Sequence, residues 1–368
     1  MPYRSDAEII AVLSDRIENL SRQVFGENYA LGKEEPERVN RRYSYMFRYK
    51  VEREDGVSRY LLVKIPHHPW MVSIHEAIES EHLRNDVKFE FNILQSISQA
   101  ITHSGNDQLC AVNPVGCLAE LNAVVVEELR LVMLKEFLAS SRIMLGERTA
   151  WGKFSTELRL AGKWLQFIHG YFSKGKEAAI SQLDIHDRML RGFSFLEINR
   201  AAPVDLFRAK FMELYAFVSE TKIPLSSVHD DYHLGNIFVT NEGRVGALDP
   251  NWKDDRPVFG DLAKLLIDPV TRKTQVIFQG ISFRPSLRKK YEDEILLGYF
   301  EGKPFPEAAL WLYCAVETLE KWALSEEALG ENRLFRLSFL RSVALLPIRR
   351  YFNQLVQGYL DKGLRRSA

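Results

Sequence analysis

The hydrophobic period changes once along this chain, and that change limits what it can fold into. Residues 42–65 read as paired strands: "RYSYMFRYKVE", a turn at "REDG", then "SRYLLVKIP", rich in aromatic and β-branched residues. From about residue 131 onward the apolar residues recur at helical spacing instead. Stripes run through Ala161, Trp164, Leu165 and Ile168, through Phe207, Phe211, Leu214 and Val218, and through Leu312, Ala315, Leu319 and Trp322. In "KPFPEAAL", Pro306 stands where a helix would begin, because the first helical position needs no N–H donor.

Around the hairpin lie an N-terminal helix, with Ile9, Leu13, Ile17 and Leu20 on one face, and a second helix, "NDVKFEFNILQSISQAI". In the latter Phe89, Ile93 and Ile97 form the expected apolar stripe, while Glu90 projects beside Leu94 and Ile97. Strand-like segments follow near "LCAVNPVGCLAE" and "NAVVVEEL". The order predicts an α+β chain: a small β-rich N-terminal lobe over 1–126, a connector at 127–130, and a larger, mainly helical lobe over 131–368. At 368 residues the chain is long enough for two such lobes.

Composition excludes some partners. Lys plus Arg and Asp plus Glu number 49 each, so no global field draws the chain to nucleic acid or to an anionic membrane. The three cysteines, Cys110, Cys117 and Cys314, form no CxxC pair and read as thiols in a reducing compartment. The N-terminus lacks a signal-peptide core, and no stretch approaches the roughly 20 apolar residues of a membrane span. A soluble, cytoplasmic protein is expected, and the sequence says nothing of its oligomeric state.

One hairpin interrupts the helical lobe, and it carries the chemistry. In "NIFVTNEGRVGALD" the turn residues Asn241, Glu242 and Gly243 separate two β-prone runs. With the turn centred between Glu242 and Gly243, Asn236 and Asp249 are equidistant from it, so antiparallel pairing returns them to one end of the ribbon. Two hard oxygen ligands side by side suit Mg²⁺, which completes its shell with water and substrate phosphates. Asp231 lies on the same loop, close enough to orient a hydroxyl beside that metal.

The spacing His229-x-Asp231-x-x-x-x-Asn236, followed by Asp249, resembles the catalytic loop of kinases. "HDDYHLGNIFV" looks like the aminoglycoside phosphotransferase and choline kinase superfamily, whose loop typically reads H-G-D-x-H-x-x-N. "VFGDLAKLL" resembles that family's later G-D-x-x-x-D-L-A segment in shortened form. The resemblance implies a two-lobed protein-kinase-like fold and an enzyme that uses ATP and Mg²⁺ to phosphorylate a hydroxyl of a sugar, amino alcohol or related metabolite. It makes Asp231 the catalytic base or hydroxyl-orienting group, His229 a loop-stabilising residue, Asn236 and Asp249 the metal ligands, and Asp261 the prop of the loop. In the first lobe it makes Lys64 the lysine on the α and β phosphates, Glu90 its helix partner, and Glu127 to Leu129 the connector whose backbone meets adenine. "WLQFIHG", which contains His169, resembles the family's L-x-x-L-H helix.

The chain departs from the family before Lys64. "NRRYSYMFRYK" contains no glycine, so Ser44 or nearby backbone would have to cover the phosphates. That departure motivates an alternative, a pseudokinase that binds nucleotide or a partner without phosphotransfer. A zinc site on His229, Asp231 and His233 lacks a further ligand cluster, and His233 with the absent A-P-E segment disfavours a protein kinase. Asp230 reads as a bystander, Asp254 and Asp255 as solvated acids or lures for a cationic acceptor, and His169 as core.

Overall fold

Alternating burial on two paired strands builds the first part of the protein, seen in a computed structural model. The structure describes residues 5–41, 43–71, 73–139, 148–198, 204–280, 283–330 and 338–365. The chain divides into two compact units: Met1–Leu131 with Thr240–Leu248, and Val132–Val239 with Asp249–Ala368.

In the first unit a six-stranded sheet centres on the strands Ser44–Arg53 and Ser58–Pro66. They pair antiparallel from Ser44↔Pro66 to Glu52↔Ser58. Leu61, Val63 and Ile65 point into a core with Phe47 and Val51 and with Ile9, Leu13 and Ile17 of the helix Asp6–Phe25. Each such aliphatic side chain contributes about 1.5–3 kcal/mol by leaving water. Because side chains alternate along a strand, this inward set turns Lys64 to the opposite face.

The helix Glu81–Ser104 starts at Ser80, whose hydroxyl accepts the Leu83 N–H. Its buried face is Leu83, Val87, Leu94, Ile97 and Ile101, not the stripe read through Phe89, which is 50% exposed. The true stripe places Glu90 on the buried side, between Val87 and Leu94, which is what aims its carboxylate at the sheet.

The turn Thr240–Arg244 also belongs to the first unit, although the sequence assigned its hairpin to the helical lobe. The Cys110 N–H donates to the Val245 carbonyl at 2.9 Å, and the Val245 N–H donates to the Gln108 carbonyl at 3.0 Å. These bonds tie the hairpin's tip to the segment after Glu81–Ser104.

The second unit is mainly helical, as expected, and the expected stripes are buried. Ala161, Trp164, Leu165 and Ile168 lie inside on the helix Arg148–Tyr171, and Leu312, Ala315, Leu319 and Trp322 on Glu307–Gly330. Sequence periodicity missed a three-stranded sheet in which Lys222–Val228 lies between Glu177–Ala179 and Lys253–Pro257. Its outer strands are too short and polar to show an apolar alternation, yet the sheet positions the site. The loop 229–236 leaves the end of its central strand, and Lys253 pairs across from Val228.

Candidate active site

The loop His229–Asn236 is held from several directions, chiefly by side chains. Asp261, in the first turn of the helix Phe259–Thr271, is 1% exposed. Its Oδ2 accepts the His229 N–H at 2.6 Å and its Oδ1 accepts the Asp230 N–H at 2.7 Å. Both carboxylate oxygens are therefore spent on consecutive amides of the loop. His169 completes the prop, with Nε2 3.2 Å from Asp261 Oδ2 and Nδ1 2.8 Å from the Tyr299 hydroxyl. Burial works against the Asp261 charge, but His169, His229 and Lys264 outweigh it and hold the carboxyl below its ordinary value.

Further along, Tyr232 is fully buried, stacks on Trp164 at 5.5 Å and donates its hydroxyl to the Ala161 carbonyl at 2.8 Å. The Leu234 N–H donates to Asp268 at 3.1 Å, and the Leu234 carbonyl accepts the Lys135 N–H at 2.9 Å. His229 is buried, and its Nδ1 lies 3.4 Å from the Asp231 N–H.

This scaffold leaves Asp231 half exposed with its two oxygens differently placed. Oδ2 accepts from Asn236 Nδ2 at 2.9 Å, and Oδ1 lies 3.5 Å from His233 Nε2. Burial pushes the Asp231 carboxyl up, but His233, His229 and Asn236 together leave it below the ordinary carboxylate value. The group is an anion across the neutral range, as a hydroxyl-orienting base must be. Asn236 spends its amide nitrogen on Asp231, which leaves its carbonyl oxygen as the atom suited to a hard cation. His229 faces the core and His233 faces Asp231, so the zinc reading does not assemble. Among the described residues no group of three or more His, Cys, Asp and Glu could hold a metal ion.

The hairpin differs from expectation in register. The Gly243 N–H bonds the Thr240 carbonyl and the Thr240 N–H bonds the Arg244 carbonyl, both at 2.9 Å, with Gly243 at φ 79°. This is a three-residue loop with a left-handed glycine bulge. The same arrangement closes the hairpin at Arg53–Val57 through Gly56 at φ 86°. The turn is thus centred on Glu242, and the residue equidistant with Asn236 is Leu248, one before Asp249. Asp249 itself sits at φ 49°, where aspartate is tolerated better than most residues.

Asp230 is no bystander. It occupies φ 58° at the position where the resembled family usually has glycine. Lys264 and Lys253 both pair with its carboxylate, and Lys264 also bonds its carbonyl at 2.6 Å. Lys264 in turn feels Glu317, which is 3% exposed and bonded to Arg188 at 2.5 Å. Nor are the other acids bare: Asp254 accepts from Ser227 at 2.5 Å and Asp255 pairs with Lys176 at 2.7 Å.

In the first unit, Lys64 Nζ meets Glu90 Oε1 at 2.9 Å, with both side chains mostly covered. Ser44 is buried on the same strand face as Lys64, at the first pair of the hairpin. In the connector, the Glu127 N–H donates to the Asn113 carbonyl and the Glu128 N–H to the Tyr60 carbonyl. Their carboxylates are held by Arg59 at 2.5 Å and by a two-pronged contact from Arg48. The amides of Leu129 and Arg130 enter none of these bonds.

No protein-family model matches this chain, and no curated protein matches it in sequence. Solved structures do match. A glucosamine kinase in complex with glucosamine, ADP and inorganic phosphate aligns over 94% of this chain and 86% of its own, with a TM-score of 0.54 at 13% identity. A second crystal form of glucosamine kinase aligns over 98% and 84%, with a TM-score of 0.52 at 13% identity. A choline/ethanolamine kinase family protein from Mesorhizobium loti aligns over 90% and 92%, at 0.46 and 13%. The chain therefore has the α+β, two-lobed, kinase-like fold of glucosamine kinase. The likeness of its loop to the aminoglycoside phosphotransferase and choline kinase superfamily agrees with that fold.

Proposed function

We propose that the protein is a small-molecule kinase that uses ATP and Mg²⁺ to phosphorylate a hydroxyl of a sugar, an amino alcohol or a related metabolite. The observation that carries this reading is the doubly bonded Asp261 prop beneath a loop that sets Asn236 against Asp231. Phosphoryl transfer asks little covalent chemistry of a protein and much positioning.

Each residue then has a physical task. Asp231 aligns the acceptor hydroxyl through one carboxylate oxygen and receives its proton, while Asn236 fixes the other oxygen. Asn236 and Asp249 offer the hard oxygens that fit Mg²⁺. The metal, when bound, supplies charge neutralisation on the phosphate oxygens. Lys64, oriented by Glu90, contributes a positive charge to the nucleotide phosphates. Leu129 offers its amide to the base, and the turn through Arg41 and Ser44 covers the phosphates in place of glycines.

The test is release of ADP with Mg²⁺ across a panel of sugars, amino sugars and amino alcohols. Asp231→Asn is expected to lose about 10²–10⁴ in kcat while still binding nucleotide, the range typical of removing a general base. The glycine-free turn favours a second reading, a nucleotide-binding protein without transfer. Nucleotide binding with no turnover on any acceptor by the unmodified protein would establish that reading and sink the first.

A further inference from the structure

Two helices of the first unit meet at a single residue. The short helix Ile74–Glu79 ends at Ser80, and the helix Glu81–Ser104 starts from it, with the Ser80 backbone extended between them. The short helix packs on the strand Ser58–Pro66, which carries Lys64, and buries Ile74, Ala77 and Ile78 in the core of the sheet. The longer helix carries Glu90. The direction the chain takes at Ser80 therefore governs how Glu90 meets Lys64, 2.9 Å away.

Asn122 holds that corner. It is fully buried and stands just before the strand Ala123–Glu127, whose Val124 pairs across from Lys64. Its Nδ2 donates to three carbonyl oxygens, those of Ala77 at 2.8 Å, Ile78 at 2.9 Å and Ser80 at 2.7 Å. An amide nitrogen carries two hydrogens, so three acceptors at these distances are gathered around one point. The rest of the residue is placed unfavourably: Oδ1 is buried without a partner among the described residues, and the backbone sits at φ 47°. Capping of the short helix explains the bonds to Ala77 and Ile78, whose carbonyls are orphaned where that helix ends. It does not explain the bond to Ser80. The Ser80 carbonyl accepts the Arg84 N–H at 3.3 Å, so Asn122 grips the Glu90 helix at its first turn. That helix also packs on the strands Pro114–Leu118 and Ala123–Glu127, but apolar packing is non-directional, and the bonds at the corner supply register.

We propose that Asn122 is a positioning residue for the Lys64–Glu90 ion pair. By bonding both helices at their shared corner, it fixes the direction of Glu81–Ser104 and so the reach of Glu90 to Lys64. A consequence for nucleotide affinity rests on the reading of Lys64 as the phosphate-binding lysine; the consequence for the ion pair does not.

The experiment measures how fast acetic anhydride acetylates Lys64 in the full-length, nucleotide-free protein, read by mass spectrometry. Glu90→Gln gives the rate for a broken pair. Asn122→Gly keeps the left-handed backbone and removes the amide, and is expected to raise the Lys64 rate about threefold or more, toward that of Glu90→Gln. Combined with Glu90→Gln it should add less than about 1.5-fold, because the pair through which it acts is already gone. A merely structural residue would add its full effect in that background, and such a result overturns the proposal. Ser80→Gly loosens the same corner without touching Asn122; it should raise the rate about twofold, and it decides the matter if Asn122→Gly fails to fold. A Lys64 rate that the folded variant leaves unchanged overturns the proposal. So does an equal rise at Lys303, in the second unit, which would report general loosening. Calorimetric titration with ADP follows, and Asn122→Gly should weaken binding about threefold only where Glu90 is present. ADP that does not bind the unmodified protein counts against the proposed function, while the labelling still decides the role of Asn122.

Discussion

The loop His229–Asn236 and the turn that carries Arg41, Tyr43 and Ser44, to which the proposed function assigns the acceptor and the phosphates, are built on opposite plans. In the loop, the amides of His229, Asp230, Leu234 and Gly235 all donate to side chains: Asp261, Asp261, Asp268 and His233. In the turn, backbone bonds the backbone of the adjoining strand end: the Arg41 N–H donates to the Ser44 carbonyl and the His67 N–H to the Tyr43 carbonyl, both at 2.9 Å, and the His67 ring lies 3.4 Å from the Arg41 carbonyl. Arg41 is exposed, and Tyr43 is 54% exposed. The first plan fixes geometry before any ligand arrives, whereas the second rests on backbone bonds and leaves the Arg41 side chain exposed. Substitutions in the loop should therefore act on kcat and stability, and substitutions in the turn on nucleotide affinity.

The largest effect should come from the prop. Asp261→Ala orphans one buried and one partly buried backbone donor and the partner of His169, at a cost of about 3 kcal/mol or more. Thermal denaturation should show it, with activity lost even in the fraction that remains folded. A variant that keeps both its melting temperature and its turnover would mean that Asp268 and Tyr232 hold the loop without help. The contribution of Asp261 also depends on pH. Its folded pKa is depressed, so the stabilisation is present above the unfolded value of about 4 and disappears as pH falls through the folded one.

Next in size is the lysine clamp. Lys264→Met removes the bond to the Asp230 carbonyl and half of its carboxylate pairing, next to Asp231, the proposed base. A fall of about tenfold in kcat with an unchanged nucleotide KM is expected, because a small displacement of a catalytic group is costly. Asp230→Gly in the same background should recover part of that loss, since glycine takes φ 58° without strain and leaves no unpaired carboxylate. On the other side of the comparison, Arg41→Ala should raise the nucleotide KM about three- to tenfold and leave stability within about 0.5 kcal/mol. If it lowers kcat and leaves KM alone, the turn is as preorganised as the loop and the contrast fails.

Much of this was legible in the sequence, for reasons particular to each element. The two strands around REDG and the helical stripes follow from burial on one face, and Glu90 reached Lys64 because it shares the side of Val87 and Leu94. The three loop residues Asp231, Asn236 and His229 lie within one short stretch, where spacing alone constrains geometry. Long-range partners were not legible in this way. Asp230 looked idle because Lys253 and Lys264 come from later segments, the former delivered by a strand too charged to announce itself. His169 was read as core, which is correct for its burial but silent about Asp261. The register missed by one residue because a glycine bulge adds a residue that period counting cannot see.

The smallest effect tests the electrostatics of the loop itself. Asp231 carries a depressed pKa because His233 and Asn236, with the more distant His229, outweigh its burial. A base with a lowered pKa keeps its anionic, working form down to lower pH, so the acid limb of kcat should lie below the ordinary carboxylate value of about 4. His233→Gln keeps a hydrogen-bond donor near Oδ1 and removes the imidazole that lowers the Asp231 carboxyl. The limb should then move toward higher pH, while kcat on the plateau above it should change little. An acid limb that stays in place would assign the depression to Asn236 and the backbone, and would make His233 a spacer beneath Gly235 and no electrostatic partner of the base.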